Sequence, residues 1–143
     1  LGIAGESRGE LYNIIFRRCT VLHSLADWAA EVGALCVVLC DAGTVHDIVF
    51  EQIDVLDERA NGINCMLFRD RWSTDTQAGH IRAICFRDIS LPKNVSVRLW
   101  GYDAAHRVED ILLQNVHMEE AEAPWLDSNV YTSEIQVRGT RNE

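Results

Sequence analysis

Apolar residues recur along this chain in one repeated phrase. It is seen in Val45-His46-Asp47-Ile48-Val49-Phe50-Glu51-Gln52-Ile53-Asp54-Val55, where Ile48 and Phe50, then Ile53 and Val55, alternate with polar neighbours. The same order of apolar and polar positions returns over Leu11 to Val21, Ile81 to Leu91 and Val108 to Met118, and a worn copy spans Thr132 to Val137. The central isoleucines are Ile14, Ile48, Ile84, Ile111 and Ile135, separated by 34, 36, 27 and 24 residues. A constant phrase at unequal steps indicates a solenoid whose windings carry loops of different length.

Alternation with period two is the mark of a half-buried strand, not of a helix. The phase breaks between Phe50 and Ile53, which predicts a bend there, so each phrase reads as two short strands meeting at a corner. A further apolar run precedes each of three phrase copies or loops, at Cys36 to Cys40, Cys65 to Phe68 and Val97 to Trp100. Three strands per winding predicts an all-β, single-stranded, right-handed parallel β-helix of about four to five coils, near residues 11–43, 44–79, 80–107, 108–130 and 131–140. The whole chain, 1–143, is then one domain, the C-terminal part of a longer solenoid. Stacked roughly 4.8 Å apart, the coils would place the five isoleucines in one interior column and Phe16, Phe50, Phe86 and Leu113 in the next. An antiparallel sandwich also has many short strands, but it gives no reason for one phrase to recur in the same order.

Between the phrases the chain reads as turns and loops. His23 to Gly33 is the one helix-like interval, with Leu25, Trp28, Ala29 and Val32 at helical spacing and Ser24 placed to cap; a wide loop is the alternative. Asp41 to Thr44, Asp57 to Gly62 and Gly101 to Arg107 are turns, and Arg69 to His80 is the longest polar loop. An open solenoid leaves unpaired strand edges at both ends, and neither terminus resembles a cap. The first edge is expected to be covered by preceding residues, by the 23–33 segment, or by another subunit in a homo-oligomer.

Composition narrows the partners. A net charge of −9 disfavours a phosphate backbone, so no nucleic-acid groove is expected. No apolar run approaches a membrane span, and no signal segment is visible, although the chain opens on Leu1. The five cysteines (19, 36, 40, 65 and 85) lack a Cys-x-x-Cys pair, and they read as reduced core thiols, not as a zinc site or disulfide framework. His23, His46 and His117 read as loop or outward-phase residues without ligand spacing, and neither a metal nor a cofactor is expected.

The phrase itself, Gly79-His80-Ile81-Arg82 leading into a strand, and Gly101-Tyr102-Asp103 followed by His106 and Val108 resemble the right-handed β-helix carbohydrate enzymes. The likeness covers residues 11–137 and points to the polygalacturonase-like and dextranase-like glycoside hydrolases of the pectin-lyase-like fold group. The resemblance implies a polysaccharide or oligosaccharide partner held in a groove on the outer face of the sheet whose strands end at Cys40, Phe68 and Trp100. It implies secretion or a periplasmic location, whereas free cysteines and the missing signal segment fit the cytoplasm. The polygalacturonase-like members use an Asn-Thr-Asp run, an Asp-Asp pair, a Gly-His-Gly and an Arg-Ile-Lys. None is intact here; Arg98-Leu99-Trp100 stands in a position like the last, with its Lys lost. A polysaccharide-directed hydrolase with most of its catalytic set outside this chain is one expectation. A non-catalytic module for glycan binding or oligomerisation is the other.

Glycoside hydrolysis needs two carboxyl groups about 5–10 Å apart, one protonated and one ionised. Asp41, Asp70 and Asp103, at the ends of successive strands, are the candidates, and each also suits a turn in which it bonds its own backbone. Trp72, Trp100 and Tyr102 offer flat faces to a sugar ring, and Arg69, Arg71 and Arg98 could fork onto a uronate carboxylate. The alternative for these residues is a tryptophan pair covering the core beneath solvated arginines. His106 is placed to orient a carboxylate, to meet sugar hydroxyls, or simply to bond a neighbouring carbonyl.

Overall fold

A computed structural model describes residues 1–24, 32–119, 124–139 and 141–142. The helix-like interval expected at 23–33 therefore lies largely outside the described residues. Eleven strands run in chain order among them: β1 (Gly2–Gly5), β2 (Glu10–Val21), β3 (Leu35–Leu39), β4 (Thr44–Val55), β5 (Ile63–Leu67), β6 (His80–Leu91), β7 (Val97–Trp100), β8 (Val108–Met118), β9 (Leu126–Ser128), β10 (Thr132–Arg138) and β11 (Arg141–Asn142).

Every pairing is parallel, and from β1 to β10 successive strands alternate between two sheets. One sheet has the order β1-β3-β5-β7-β9, the other β10-β8-β6-β4-β2, with β11 also against β8. An antiparallel sandwich is thereby ruled out. In the long-strand sheet Ile14 pairs with Ile48, Ile48 with Ile84, Ile84 with Ile111, and Ile111 with Ile135. Phe16, Phe50, Phe86 and Leu113 follow in the adjacent column, with the phenyl rings stacked at 4.8 Å. Facing them across the interior are Leu35, Val37, Leu39, Ile63, Cys65, Leu67, Val97 and Leu99, all part of the same buried core.

The corners correct the sequence reading in one respect. Each copy of the phrase is a long strand with two bends, not one. Asn13, Asp47, Ala83, Asp110 and Glu134 form a first column of left-handed residues, with φ between 53° and 57°. Arg18, Gln52, Asp88, Asn115 and Gly139 form a second, five residues on. A left-handed residue turns the chain without breaking the ladder on either side, and Asn, Asp and Gly adopt it at least cost. This explains the interior spacing: two residues within a segment (Ile48 to Phe50) and three across each corner (Val45 to Ile48, Phe50 to Ile53). Side chains at the second corner also meet between windings. Arg18 Nε donates to Gln52 Oε1 at 3.2 Å, and Asn115 Nδ2 donates to Asp88 Oδ1 at 2.8 Å.

The outer face of β3 and β5 departs from the open groove that the family resemblance implied. Cys36, Val38 and Met66 point away from the main core yet are buried, with Val32, Phe68 and Trp100 packed against them. All five cysteines are free, and Cys36, Cys40 and Cys65 are buried, where the loss of water pushes each thiol up and keeps it neutral.

Candidate functional site

The candidate residues follow the ends of β3, β5 and β7, where the chain leaves the short-strand sheet and crosses to the long one. Three turns result: 40–43, 68–79 and 101–107.

Asp41 is fully buried (0% exposed), and its oxygens are occupied. Oδ1 accepts the N–H groups of Thr74 and Asp75, each at 2.7 Å, and Oδ2 accepts the Thr74 hydroxyl at 3.1 Å. Arg8 Nε lies 3.6 Å from Asp41 and 3.4 Å from Asp75, and Asp75 Oδ2 in turn accepts the N–H of Ala42. The Asp75 N–H hydrogen bond, helped by Thr74 and Arg8, outweighs burial and holds the Asp41 carboxyl below the usual carboxylate range. Asp41 thus ties one winding to the loop of the next. Asp57 does the same elsewhere: it accepts from the Ser24 N–H at 3.0 Å and from Arg59, whose side chain chiefly keeps it ionised.

Asp70 is exposed and local. Its Oδ1 accepts the Trp72 N–H at 2.7 Å, while its own N–H donates to Ser73 Oγ at 3.0 Å, the closure of an Asx turn. Asp41 and Asp70 are both near enough to Cys40 to raise its thiol. In the third turn, Asp103 Oδ1 accepts the N–H groups of Ala105 and His106, each at 2.8 Å, and lies 2.8 Å from His106 Nδ1. Burial pushes Asp103 up, but the bonds from His106 and Ala105 prevail and leave its carboxyl below the usual range. The His106 ring sits 5.3 Å from that of His80, tilted by 39°. Neither Asp41 nor Asp103 is in the apolar, donor-poor setting that would keep a general acid protonated at neutral pH.

The aromatic candidates divide. Trp72 (54% exposed) and Tyr102 (42% exposed) present open faces, and the Arg71 guanidinium lies over the Trp72 ring at 4.9 Å. Trp100 packs against the outer apolar cluster, with Arg98 over its ring at 5.0 Å. Among the described residues, Trp100 Nε1 and Arg69 Nη1 are buried without a hydrogen-bond partner, although Arg69 Nη2 donates to the Asp75 carbonyl. Arg98 Nε donates to Asp127 Oδ2 at 3.3 Å.

Several participants escaped sequence reasoning. Thr74, Asp75 and Arg8 belong to the Asp41 clamp, His80 to the imidazole pair, and Asp127 to Arg98; each arrives from another winding, so no local spacing announces it. His46, expected to be outward and exposed, is buried. Its ring stacks on Tyr12 at 5.2 Å and is held between Asp47 Oδ2 (2.6 Å) and Glu10 Oε1 (3.0 Å). Those two carboxylates, Asp47 foremost, raise its pKa against burial and Arg82. Among the described residues no three His, Cys, Asp or Glu side chains converge as a metal site would require, and no helix is long and apolar enough to cross a membrane.

Comparison with protein-family models, with curated proteins and with solved structures found no match for this chain.

Proposed function

We propose that this chain forms the coils of a single-stranded right-handed parallel β-helix of the pectin-lyase-like kind, and that it binds an acidic polysaccharide without cleaving it. Strict alternation of parallel strands between two sheets supports the helical winding, and crossovers between parallel strands are right-handed in nearly all proteins. The observation that carries the binding reading is the exposed Trp72 ring with the Arg71 guanidinium over it, with a second exposed ring, Tyr102, on the following turn of the chain. Flat apolar rings take the faces of pyranose sugars, and forked guanidinium groups take their carboxylates. Binding without turnover is favoured over hydrolysis because all three candidate carboxylates already accept turn N–H groups.

The test is a panel of acidic and neutral polysaccharides, scored for binding by affinity electrophoresis and for release of reducing ends. Retardation by an acidic polymer, weakened by Trp72→Ala and by Tyr102→Ala, with no reducing ends released, is the expected result. Turnover that disappears in Asp70→Asn or Asp103→Asn would replace this reading with the hydrolase one.

A second reading, self-association, has its own support. Leu11, Ile14, Phe16, Cys19 and Val21 in β2 are only half-buried, although their register partners in β4 are fully buried. A homo-oligomer closing that end would appear as a concentration-dependent mass in sedimentation, reduced by Ile14→Glu.

A further inference from the structure

At the start of β2, the first winding is tied to the second through a single imidazole. Glu10 Oε1 lies 3.0 Å from His46 Nε2, and the Tyr12 ring stacks on the same imidazole with the planes 3° apart. The other ring nitrogen, Nδ1, lies 2.6 Å from Asp47 Oδ2. The His46 ring is buried, whereas the Glu10 and Asp47 side chains are 62% and 52% exposed. From the third winding, Arg82 is the register partner of His46, and its charge opposes a positive ring. The other polar links that β2 makes to β4 among the described residues, Arg17 to Glu51 and Arg18 to Gln52, stand further along the strand.

An ionised carboxylate only accepts hydrogen bonds, so a ring nitrogen that faces one must donate. A neutral imidazole carries one N–H and an imidazolium carries two. With a carboxylate on each nitrogen, this arrangement is satisfied only by the protonated ring. Removing the proton leaves one carboxylate facing a nitrogen lone pair. Asp47 is the next residue in the chain and the closer of the two, so it keeps the remaining N–H, and the exposed Glu10 turns to water. The start of β2 is then held by the Tyr12 stack and the ladder alone. Its apolar hold is also weaker than in the windings above, because Leu11 and Ile14 are only half-buried.

We propose that His46 is a proton-operated latch: charged, it closes the start of β2 onto β4, and neutral, it releases Glu10 and lets the first winding open ahead of the corner at Asn13. The titratable and charged groups that face the ring among the described residues are Glu10 and Tyr12 from β2, Asp47 from β4 and Arg82 from β6. Two carboxylates against one guanidinium favour the cation, and they outweigh burial. Because folding raises the pKa of the ring, the contribution of the latch is complete below the value in the unfolded chain and is lost as pH rises through the folded value. Opening therefore belongs to the alkaline side. The latch does not depend on the glycan reading, which uses the turns at 68–79 and 101–107.

The experiment is a pH series on the ¹⁵N-labelled chain, reading the imidazole nitrogens and amide hydrogen exchange together. At about pH 6 both ring nitrogens of His46 are expected to carry protons, and its midpoint to lie above that of the same histidine in the urea-unfolded chain. Amide protection over residues 11–16, corrected for the intrinsic rate, is expected to fall about threefold or more as pH rises through that midpoint, while residues 84–86 stay level. Glu10→Gln, a change at a mostly exposed side chain, is expected to lower the midpoint and to remove the fall in protection. His46→Gln is expected to remove the fall as well; should that variant not fold, the parent and Glu10→Gln decide. The proposal is overturned by a midpoint no higher than in the unfolded chain, or by a singly protonated ring at about pH 6. Level protection over 11–16 in the parent, an equal fall at 84–86, or an unchanged fall in Glu10→Gln overturns it too.

Discussion

The same phrase is fully buried in the middle of the stack and half-open at its start. Phe50 and Phe86 have no exposed surface, each flanked by a residue of its own column above and below, whereas among the described residues Phe16 has a register partner, Phe50, on one side only. The isoleucines behave alike: Ile48, Ile84 and Ile111 are buried, Ile14 and Ile135 only partly. Burial here belongs to position in the stack and not to the words of the repeat, because a winding cannot close its own apolar face. The turns teach the complementary lesson. There the carboxylates bond across windings or within a turn, and their chemistry follows from what the neighbouring winding supplies.

The sharpest way to break this comparison is to truncate the same ring at two heights. Phe50→Ala is expected to cost about 3–5 kcal/mol of unfolding free energy, and Phe16→Ala about half as much, because Phe16 leaves less buried volume behind. Urea denaturation measures both, and equal costs would mean that the first winding is as well covered as the second. Next in size is the contact between windings at the turns. Gly62→Ala is expected to lose about 1–3 kcal/mol, since its Cβ would meet the Ser96 backbone, whereas Gly9→Ala, with nothing nearby, should stay within about 0.5 kcal/mol of the parent. A neutral Gly62→Ala would show that the two turns are not in contact.

The corner columns give a smaller effect of opposite sign. Ala83 holds a left-handed backbone (φ 53°) that Asp47 and Asp110 occupy in the windings on either side. Ala83→Gly is expected to stabilise by about 0.5–1 kcal/mol in thermal unfolding, the relief of strain exceeding the added chain entropy. A loss of stability would remove the left-handed corner there. Last comes a change in the shape of the acid limb. Because the folded state lowers Asp41 below its unfolded value, its contribution is complete above the ordinary carboxylate range and falls away as pH drops through that range toward the folded value. Asp41→Asn should flatten stability against pH in that window, because it removes the carboxylate that accepts the Thr74 and Asp75 N–H groups. Matching slopes in parent and Asp41→Asn would deny the clamp.

Much of the architecture was legible because the interior of a stacked structure repeats its demands at every winding. Period-two alternation revealed the strands, and recurrence of Ile14, Ile48, Ile84, Ile111 and Ile135 revealed the register. The first corner of each phrase was legible in principle, since Val45 and Ile48 stand three apart as Phe50 and Ile53 do. The site was much less legible. Asp41, Asp70 and Asp103 were found as turn residues, yet nothing local to Asp41 foretold Thr74 and Asp75, which reach it from 33 and 34 residues away.

What the order of residues determined unaided was which side chains turn inward and which isoleucine lies against which, because both follow from a repeat that any parallel stack must satisfy. Only the folded chain decided how deeply each copy is covered, that the outer face of β3 and β5 is closed, and that His46 sits between two carboxylates. Each depends in part on residues some thirty positions distant, such as Glu10 beside His46 and Met66 beside Cys36 and Val38, that stacking brings within a few ångströms, and separation along a sequence carries no record of that distance.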